Sequence, residues 1–446
     1  MKLWEKGYEL DKLIETFMTG DDPILDAKLI PYDCLGSMAH AKMLAKIGIL
    51  TDEECSQLLT GLKLIIKLAE NHQFSIKPED EDVHTAVENY LTQSLGTLGK
   101  KLHTARSRND QVLLDLRLYI RDQILQTIEN TLYVCKILCH FAKQYQAVPI
   151  PGRTHFQHAM PSSLGLWSGA FAESLLDNVE LLKGAYDIIN QCPLGSAASY
   201  GVSLPIDRQY CADILGFKSV QNNVLYVNNS RGKFESIVLH ALTQVMNDLS
   251  KQSTDIIIFS APEFGYLILP EKFCAGSSLM PQKRNPCPLE LIRAKSATVQ
   301  GFLFQTLEII RSLPSGYNRD FQETKRPLMQ GFEITQASLQ VFGKVFSEIQ
   351  VNQEKCLNAF TPELFATDQV LQLAKNGVPF REAYQQVAKN LKNVTQSDPI
   401  TNILSKTHLG GTGHLGIDYS ESKIQDYHLW LKSHQSDWEK CLTNHF

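Results

Sequence analysis

The stretch from Lys100 to Val148, KKLHTARSRNDQVLLDLRLYIRDQILQTIENTLYVCKILCHFAKQYQAV, contains neither glycine nor proline. Within it Leu113, Leu116, Ile120, Ile124, Ile128, Leu132, Cys135 and Leu138 recur at three- and four-residue spacing. That spacing draws one apolar stripe along one very long helix. Lys233 to Ala261 reads the same way, with Ile237, Ala241, Val245 and Leu249 on one face. Pro161 to Cys192 and Pro286 to Leu313 each support a further long helix. Phe332 to Leu357 is a fifth, weakened by Gly343. Helices of this length depend on packing against one another. Five of them from the middle of one chain predict an all-α protein built on an elongated bundle. Such a bundle leaves long apolar faces, which a homo-oligomer covers.

The flanks differ. Up to about Leu102 the helices are shorter, one of them opening at Thr51 with the capping sequence TDEE. From about Lys355 they are short again, broken by Pro362, Pro379 and Pro399. This predicts a small N-terminal helical domain (1–104), a central long-helix domain (105–354) and a small C-terminal helical domain (355–446). Phe264 to Phe273 is the one strong strand signal and suggests a small hairpin. LGGTGHLG (Leu409 to Gly416) lacks the Gly-Lys-Ser/Thr ending of a phosphate loop and reads as a flexible turn.

Composition narrows the function. The 446 residues are 43% hydrophobic, with a formal net charge of -5. A mildly acidic balance argues against a nucleic-acid partner. No apolar run reaches the length of a membrane span. The opening MKLWEKGYELDKLIE has acidic residues and no apolar core, so it is not a secretory signal. The ten cysteines include no Cys-x-x-Cys pair. Cys135 and Cys139 lie one turn apart but among apolar neighbours, as core residues do. Reduced thiols fit a cytoplasmic protein.

Polar chemistry gathers in four irregular segments. AGSSLMPQKRNPCPLEL (Ala275 to Leu291) brings Ser277, Ser278, Lys283, Arg284 and Asn285 to the start of a helix. Free N–H groups and the helix dipole make such a place an anion site, and a hydroxyl beside cations can transfer protons. A solvated surface turn is the plain alternative. HTARSRNDQ (His103 to Gln111) opens the longest helix, capped by Thr104 or Ser107. Arg106 and Arg108 there oppose the dipole, which favours anion binding or salt bridges within the bundle. PGRTHFQHAMPSS (Pro151 to Ser163) offers Thr154, His155 and His158. Nothing nearby completes a metal set, and a histidine suits proton transfer better. YNRDFQETK (Tyr317 to Lys325) suits a polar ligand or a solvated helix start.

Together and in this order, these segments resemble the fumarase/aspartase superfamily, most closely its argininosuccinate lyase branch. GSSLMPQKRNP resembles the signature GSSxMPxKxNP, and HTARSRNDQ the form HTGRSRNDQ. THFQHAMP resembles THLQxAQP, and YNRDFQETK resembles YNxDxQExK. GSMAHAKML (Gly36 to Leu44) and PLGSAASYG (Pro193 to Gly201) resemble two further blocks. The resemblance covers about residues 30 to 330. It implies a three-domain helical subunit whose central domain forms a twenty-helix core in a homotetramer. It also implies active sites shared among three subunits, with no metal or organic cofactor. The implied reaction is reversible elimination of argininosuccinate to fumarate and arginine.

The resemblance also assigns roles. Ser277 is the base that takes the Cβ proton. Lys283 and the following helix N-terminus stabilise the aci-carboxylate charge, and Asn285 holds the carboxylate. His155 transfers a proton toward the departing guanidinium or orients it, and His84, in EDVHTAVENYL, supports His155. Ser107, Arg108, Asn109 and Thr154 hold substrate carboxylates. Tyr317, Gln322 and Lys325 hold the arginine-side amino acid. Arg231, in NNSRGKFE, aligns loosely with an arginine of the SxRD block. The chain departs from the pattern at Ala105, where glycine is usual, and at Cys287, where Asp is usual. It departs too at Phe17 to Asp26, where Thr19 is the only hydroxyl near a usual serine. Other eliminases of the superfamily, a non-catalytic protein on the same scaffold and a helical scaffold without a small-molecule site are the rival readings. SRNDQ and YNRDFQETK speak against the first, and the intact serine loop with His155 against the second. Ligand-dependent stabilisation tests the third.

Overall fold

A computed structural model of the chain describes residues 11–445, so most of the opening segment weighed above as a signal lies outside the described residues. The chain begins with α1 (Lys12–Thr19), α2 (Asp22–Asp26), α3 (Ile30–Lys46) and α4 (Asp52–Glu70). α4 opens at the expected capping box: Thr51 Oγ1 accepts the Glu54 N–H, and the Glu54 carboxylate accepts the Thr51 N–H. α5 (Val83–Leu95) and α6 (Thr97–Lys101) complete the N-terminal group.

The Gly- and Pro-free stretch becomes α7 (Arg108–Gln144), 37 residues in one helix. At 1.5 Å per residue it is about 55 Å long. Ser107 caps it, with Asp110 closing a capping box. β1 (Pro149–Thr154) and β2 (Gln157–Ser163) follow as an antiparallel hairpin. This corrects the reading of a helix from Pro161. Pro161 lies opposite Pro151 in the ladder, and the helix starts only when Ser163 Oγ caps it by accepting the Leu166 N–H.

α8 (Leu164–Ile189) returns along α7, as the Ser168 to Leu138 and Cys135 to Ala172 hydrogen bonds show. β3 (Gln191–Cys192), α9 (Arg208–Ile214), β4 (Ser219–Val220) and α10 (Val224–Asn229) lead to α11 (Lys233–Ser260). β3 and β4 form a parallel pair. Gly232, with φ +77, lets α11 begin against the end of the next long helix, since a Cβ there would run into Ile310.

β5 (Leu267–Ile268) precedes α12 (Cys287–Ile310), which is antiparallel to α11. α13 (Lys325–Phe346) runs parallel to α7 and closes the bundle, with Gln336 meeting Thr127 and Phe332 meeting Tyr119. α13 starts before the expected Phe332 because Pro327 sits in its first turn, where no intrahelical N–H is needed. Gly343 seats it against Tyr133 of α7, whose ring a Cβ would approach to 3.0 Å. β6 (Gln350–Val351) pairs with β5, Leu267 opposite Val351. The strand signal at Phe264 to Phe273 was therefore right, but its partner lies some eighty residues on rather than in a local hairpin.

α14 (Gln353–Asn358), α15 (Ala366–Lys375), α16 (Phe380–Lys389) and α17 (Pro399–Leu404) are the short helices expected after Lys355. α18 (Ile417–His445) corrects the expectation of short helices alone in this region: it is 29 residues long and packs back on α7 and α8. The main core is continuous from Leu25 to Leu431, and Phe360, Leu364, Phe365, Val370, Ala383, Val387 and Val394 form a second, smaller one. No helix among the described residues is long and apolar enough to cross a membrane.

This arrangement gives the bundle two ends. The starts of α7, α11 and α13 and the ends of α8 and α12 meet at one, called the head. The β1–β2 hairpin and the loop before α12 occupy the other, the foot.

Candidate active site

A cavity of about 530 Å³ opens at the head, and eight of the expected residues border it: His84, Ser107, Arg108, Asn109, Arg231, Tyr317, Gln322 and Lys325. Five guanidinium or ammonium groups (Arg106, Arg108, Arg231, Arg319, Lys325) face three carboxylates (Asp22, Asp26, Asp82). The excess of positive charge suits an anionic ligand.

Local structure fixes each group. Ser107 and Asn109 stand at the start of α7, where unpaired N–H groups and the dipole favour anions. Asp110 anchors that start, its carboxylate also accepting the Gly195 and Ala197 N–H groups at 3.0 Å each. Arg108 pairs with Asp82 and lies 3.6 Å from Glu81. Burial opposes the Arg108 charge, but Asp82 and Glu81 outweigh it and raise its pKa. Gln322 donates to the Met18 carbonyl at 3.0 Å. Arg231 is buried, with its Nε unpartnered and its guanidinium 5.9 Å from the Tyr317 and Phe321 rings.

Lys325, expected to hold the substrate directly, is engaged otherwise. Its ammonium lies 2.6 Å from Asp22 and 2.7 Å from Asp26 and is 2% exposed. Burial alone would discharge it, yet Asp26 and Asp22 hold its pKa above that of free lysine. Sequence reasoning missed Asp22, Asp26, Asp82 and Arg319. The one signal was Asp22 and Asp26 in FMTGDDPILD, two carboxylates one helical turn apart. His103, near neutral histidine in sequence terms, is pushed down to about 4 by burial and by Arg106, so it enters the cavity uncharged.

His84 sits in the cavity wall on α5. Its Nδ1 is 2.8 Å from Asp33 Oδ1 and 3.6 Å from Asp115 Oδ2, with all three side chains buried. Burial lowers the imidazole pKa, but the hydrogen bond to Asp33 and the charges of Asp33, Asp82 and Asp26 raise it above the ordinary value. The three residues have ligand atoms close enough to surround a cation. The charges of Arg106 and Lys325 act on Asp115, but burial with Asp33 and Asp26 outweighs them and raises its pKa.

Thr154, His155, Ser277, Lys283 and Asn285 are not in this cavity. They lie at the foot. In one subunit Thr154 and His155 are separated from Ser107 by the length of α7, and Ser277 from Tyr317 by α12, 24 residues or about 36 Å. His84 cannot support His155 within one subunit for the same reason.

The foot groups are shaped for contact. His155 and Phe156 form a two-residue turn between paired Thr154 and Gln157, with φ of +54 and +59. A type I′ turn usually takes Asn-Gly, and two bulky L residues there are strained. Phe156 is 70% exposed at the tip. The loop of Gly276 to Arg284 is closed at its neck by the Ala275–Asn285 bridge. Ser277 Oγ accepts the N–H groups of Leu279 and Met280 at 3.3 and 3.1 Å. Lys283 is exposed, and Arg284 pairs with Glu271 at 2.5 Å.

A long-helix bundle with a cationic head cavity and a serine loop at its foot is the architecture of a lyase, and the sequence profile of the family described as Lyase matches residues 8–301. The chain is 44% identical over 388 residues to argininosuccinate lyase of Thermotoga neapolitana, covering 87% of this chain and 98% of that one. It is 43% identical over 424 residues to argininosuccinate lyase of Bacteroides fragilis, covering 95% and 94%. The chain belongs to the argininosuccinate lyase family. Its fold is shared with a solved EDDS lyase in complex with formate (23% identity, TM-score 0.83, 99% of this chain and 95% of that one). It is also that of class II fumarase from Schistosoma mansoni (15% identity, TM-score 0.72, covering 89% and 95%).

Proposed function

We propose that the protein catalyses the reversible elimination of argininosuccinate to fumarate and L-arginine, in active sites that each combine three subunits of a homotetramer. The observation that carries this reading is the split of an otherwise complete set of polar groups between head and foot. Ser277 and His155 reach a head cavity only if other copies of the chain supply them. α12 supports such assembly, because it leaves Leu291, Phe304 and Leu307 exposed along its length.

The chemistry follows from the groups. The proton on the succinyl Cβ is weakly acidic, and its removal places charge on the adjacent carboxylate. Ser277 takes that proton. The two backbone N–H groups aimed at its Oγ favour the alkoxide, and Lys283 adds positive charge. Asn285, Lys283 and the α12 N-terminus stabilise the aci-carboxylate. The Cα–N bond then breaks, the electron pair leaves with the guanidine, and His155 orients or protonates it. Arg108, Ser107, Asn109 and Thr154 hold carboxylates, while Tyr317, Gln322, Arg231 and the Asp22–Lys325–Asp26 cluster hold the arginine end. Reaction in the cytoplasm suits the free cysteines, most of them buried.

Fumarate release from argininosuccinate is the test, with Ser277→Ala beside the wild type. Loss of a general base predicts a fall in kcat of about 10²–10⁴. A folded wild type that ignores argininosuccinate but cleaves another succinyl adduct contradicts the substrate assigned.

A further inference from the structure

His84, Asp33 and Asp115 form a buried cluster beside the cavity, and neither carboxylate borders the cavity itself. With Nδ1 taken by Asp33, the ring's other nitrogen is the one left to face a ligand. We propose that Asp33 is a positioning residue that pairs with Nδ1 of His84 and aims the ring at the cavity, and that His84 thereby binds a carboxylate of the dicarboxylate product and its precursor. This rests on the elimination reaction proposed above and assigns one step of recognition within it. A neutral imidazole in this wall would act as a proton-transfer group; a fixed imidazolium acts as a charge and a donor, a different role from supporting His155.

The surroundings of His84 favour this state from every side. Asp82 caps its own helix, Asp26 faces it from α2, Asp33 from α3 and Asp115 from α7. Burial, then Asp33 and Asp26, raise Asp115 far above the carboxylate range. Asp33, at 2.8 Å against 3.6 Å for Asp115, is therefore the carboxylate hydrogen-bonded to the ring. The opposing cations are spoken for: Lys325 by Asp22 and Asp26, and Arg108 by Asp82. Arg106 lies near Asp33 and Asp115 and donates to Ser37 Oγ at 2.8 Å. His103 is uncharged and adds no repulsion near neutrality.

The sign of the pH effect follows. A folded pKa raised above the free value moves the loss of the His84 proton, and of the carboxylate binding that depends on it, to higher pH than for a free histidine. Without the Asp33 hydrogen bond and charge, two of the influences opposing burial are gone, and the ring loses its proton at lower pH than in the wild type.

The experiment is calorimetric titration of fumarate into the full-length protein at pH 6 and pH 8. Asp33→Asn should lose at least tenfold more affinity than the wild type between the two pH values. His84→Gln, uncharged throughout, should be weakened tenfold or more at pH 6, and it serves if Asp33→Asn does not fold. Wild-type affinity in His84→Gln, or an equal loss at both pH values in Asp33→Asn, overturns the inference, the second outcome marking a purely structural aspartate. Fumarate that does not bind while argininosuccinate is turned over overturns this inference alone. Absence of turnover as well overturns the reaction beneath it.

Discussion

Ala105 stands in the left-handed region, with φ +65, in the turn that delivers Arg106, Ser107 and Arg108 to the cavity. A Cβ there costs about 1–2 kcal/mol relative to an unstrained residue, and glycine's greater freedom in the unfolded chain returns part of that. Ala105→Gly is therefore expected to stabilise the fold by up to about 1 kcal/mol, read as a higher urea midpoint with unchanged slope. A lower midpoint would show that the turn is not strained. The sequence marked this position as a departure from the related pattern, but the reason, a positive φ, became visible only in the fold. Other residues show the same limit. Arg108, Asn109 and Tyr317 were legible because they crowd into short polar segments. Asp26 was not, because its meaning comes from Lys325, 299 residues away, and Asp33 looks like any helix aspartate until His84 is placed beside it.

Periodicity located five of the six long helices, since apolar spacing is a local property, but it missed α18 and ran the fifth on to Leu357, where α13 stops at Phe346. The β1–β2 hairpin escaped notice. PGRTHFQHAMPSS neither alternates cleanly nor carries an Asn-Gly turn, and its prolines argue against strand. β5 was legible as a strand signal, but its partner β6 escaped because a two-residue strand has no pattern of its own. At the head, one side chain couples elements that are distant in sequence. Asp110 caps α7 and also takes two N–H groups of the Pro193 to Gly201 segment. Asp110→Ala leaves these buried donors without a partner, at about 1–3 kcal/mol for each group fully stranded. A loss of roughly 3 kcal/mol or more in equilibrium unfolding is expected, together with weaker substrate binding as the head loosens. A change under about 1 kcal/mol would show that water replaces the carboxylate freely.

At the scale of the whole molecule, the proposed reaction depends on separation. It assigns head and foot groups to one chemistry although they stand a bundle's length apart, and the exposed apolar side chains of α12 suit contact with other copies. The sequence showed that polar segments lie at helix ends; which ends share a cavity required three dimensions. The most direct test mixes two inactive variants, Ser277→Ala and His155→Gln, after reversible dissociation of their assemblies. If a site draws Ser277 from one subunit and His155 from another, random mixing leaves about a quarter of sites with both residues intact. Fumarate release from argininosuccinate should then recover to roughly that fraction of the wild-type rate. Activity no greater than the sum of the two separate variants, in assemblies shown to be mixed, would contradict a shared site.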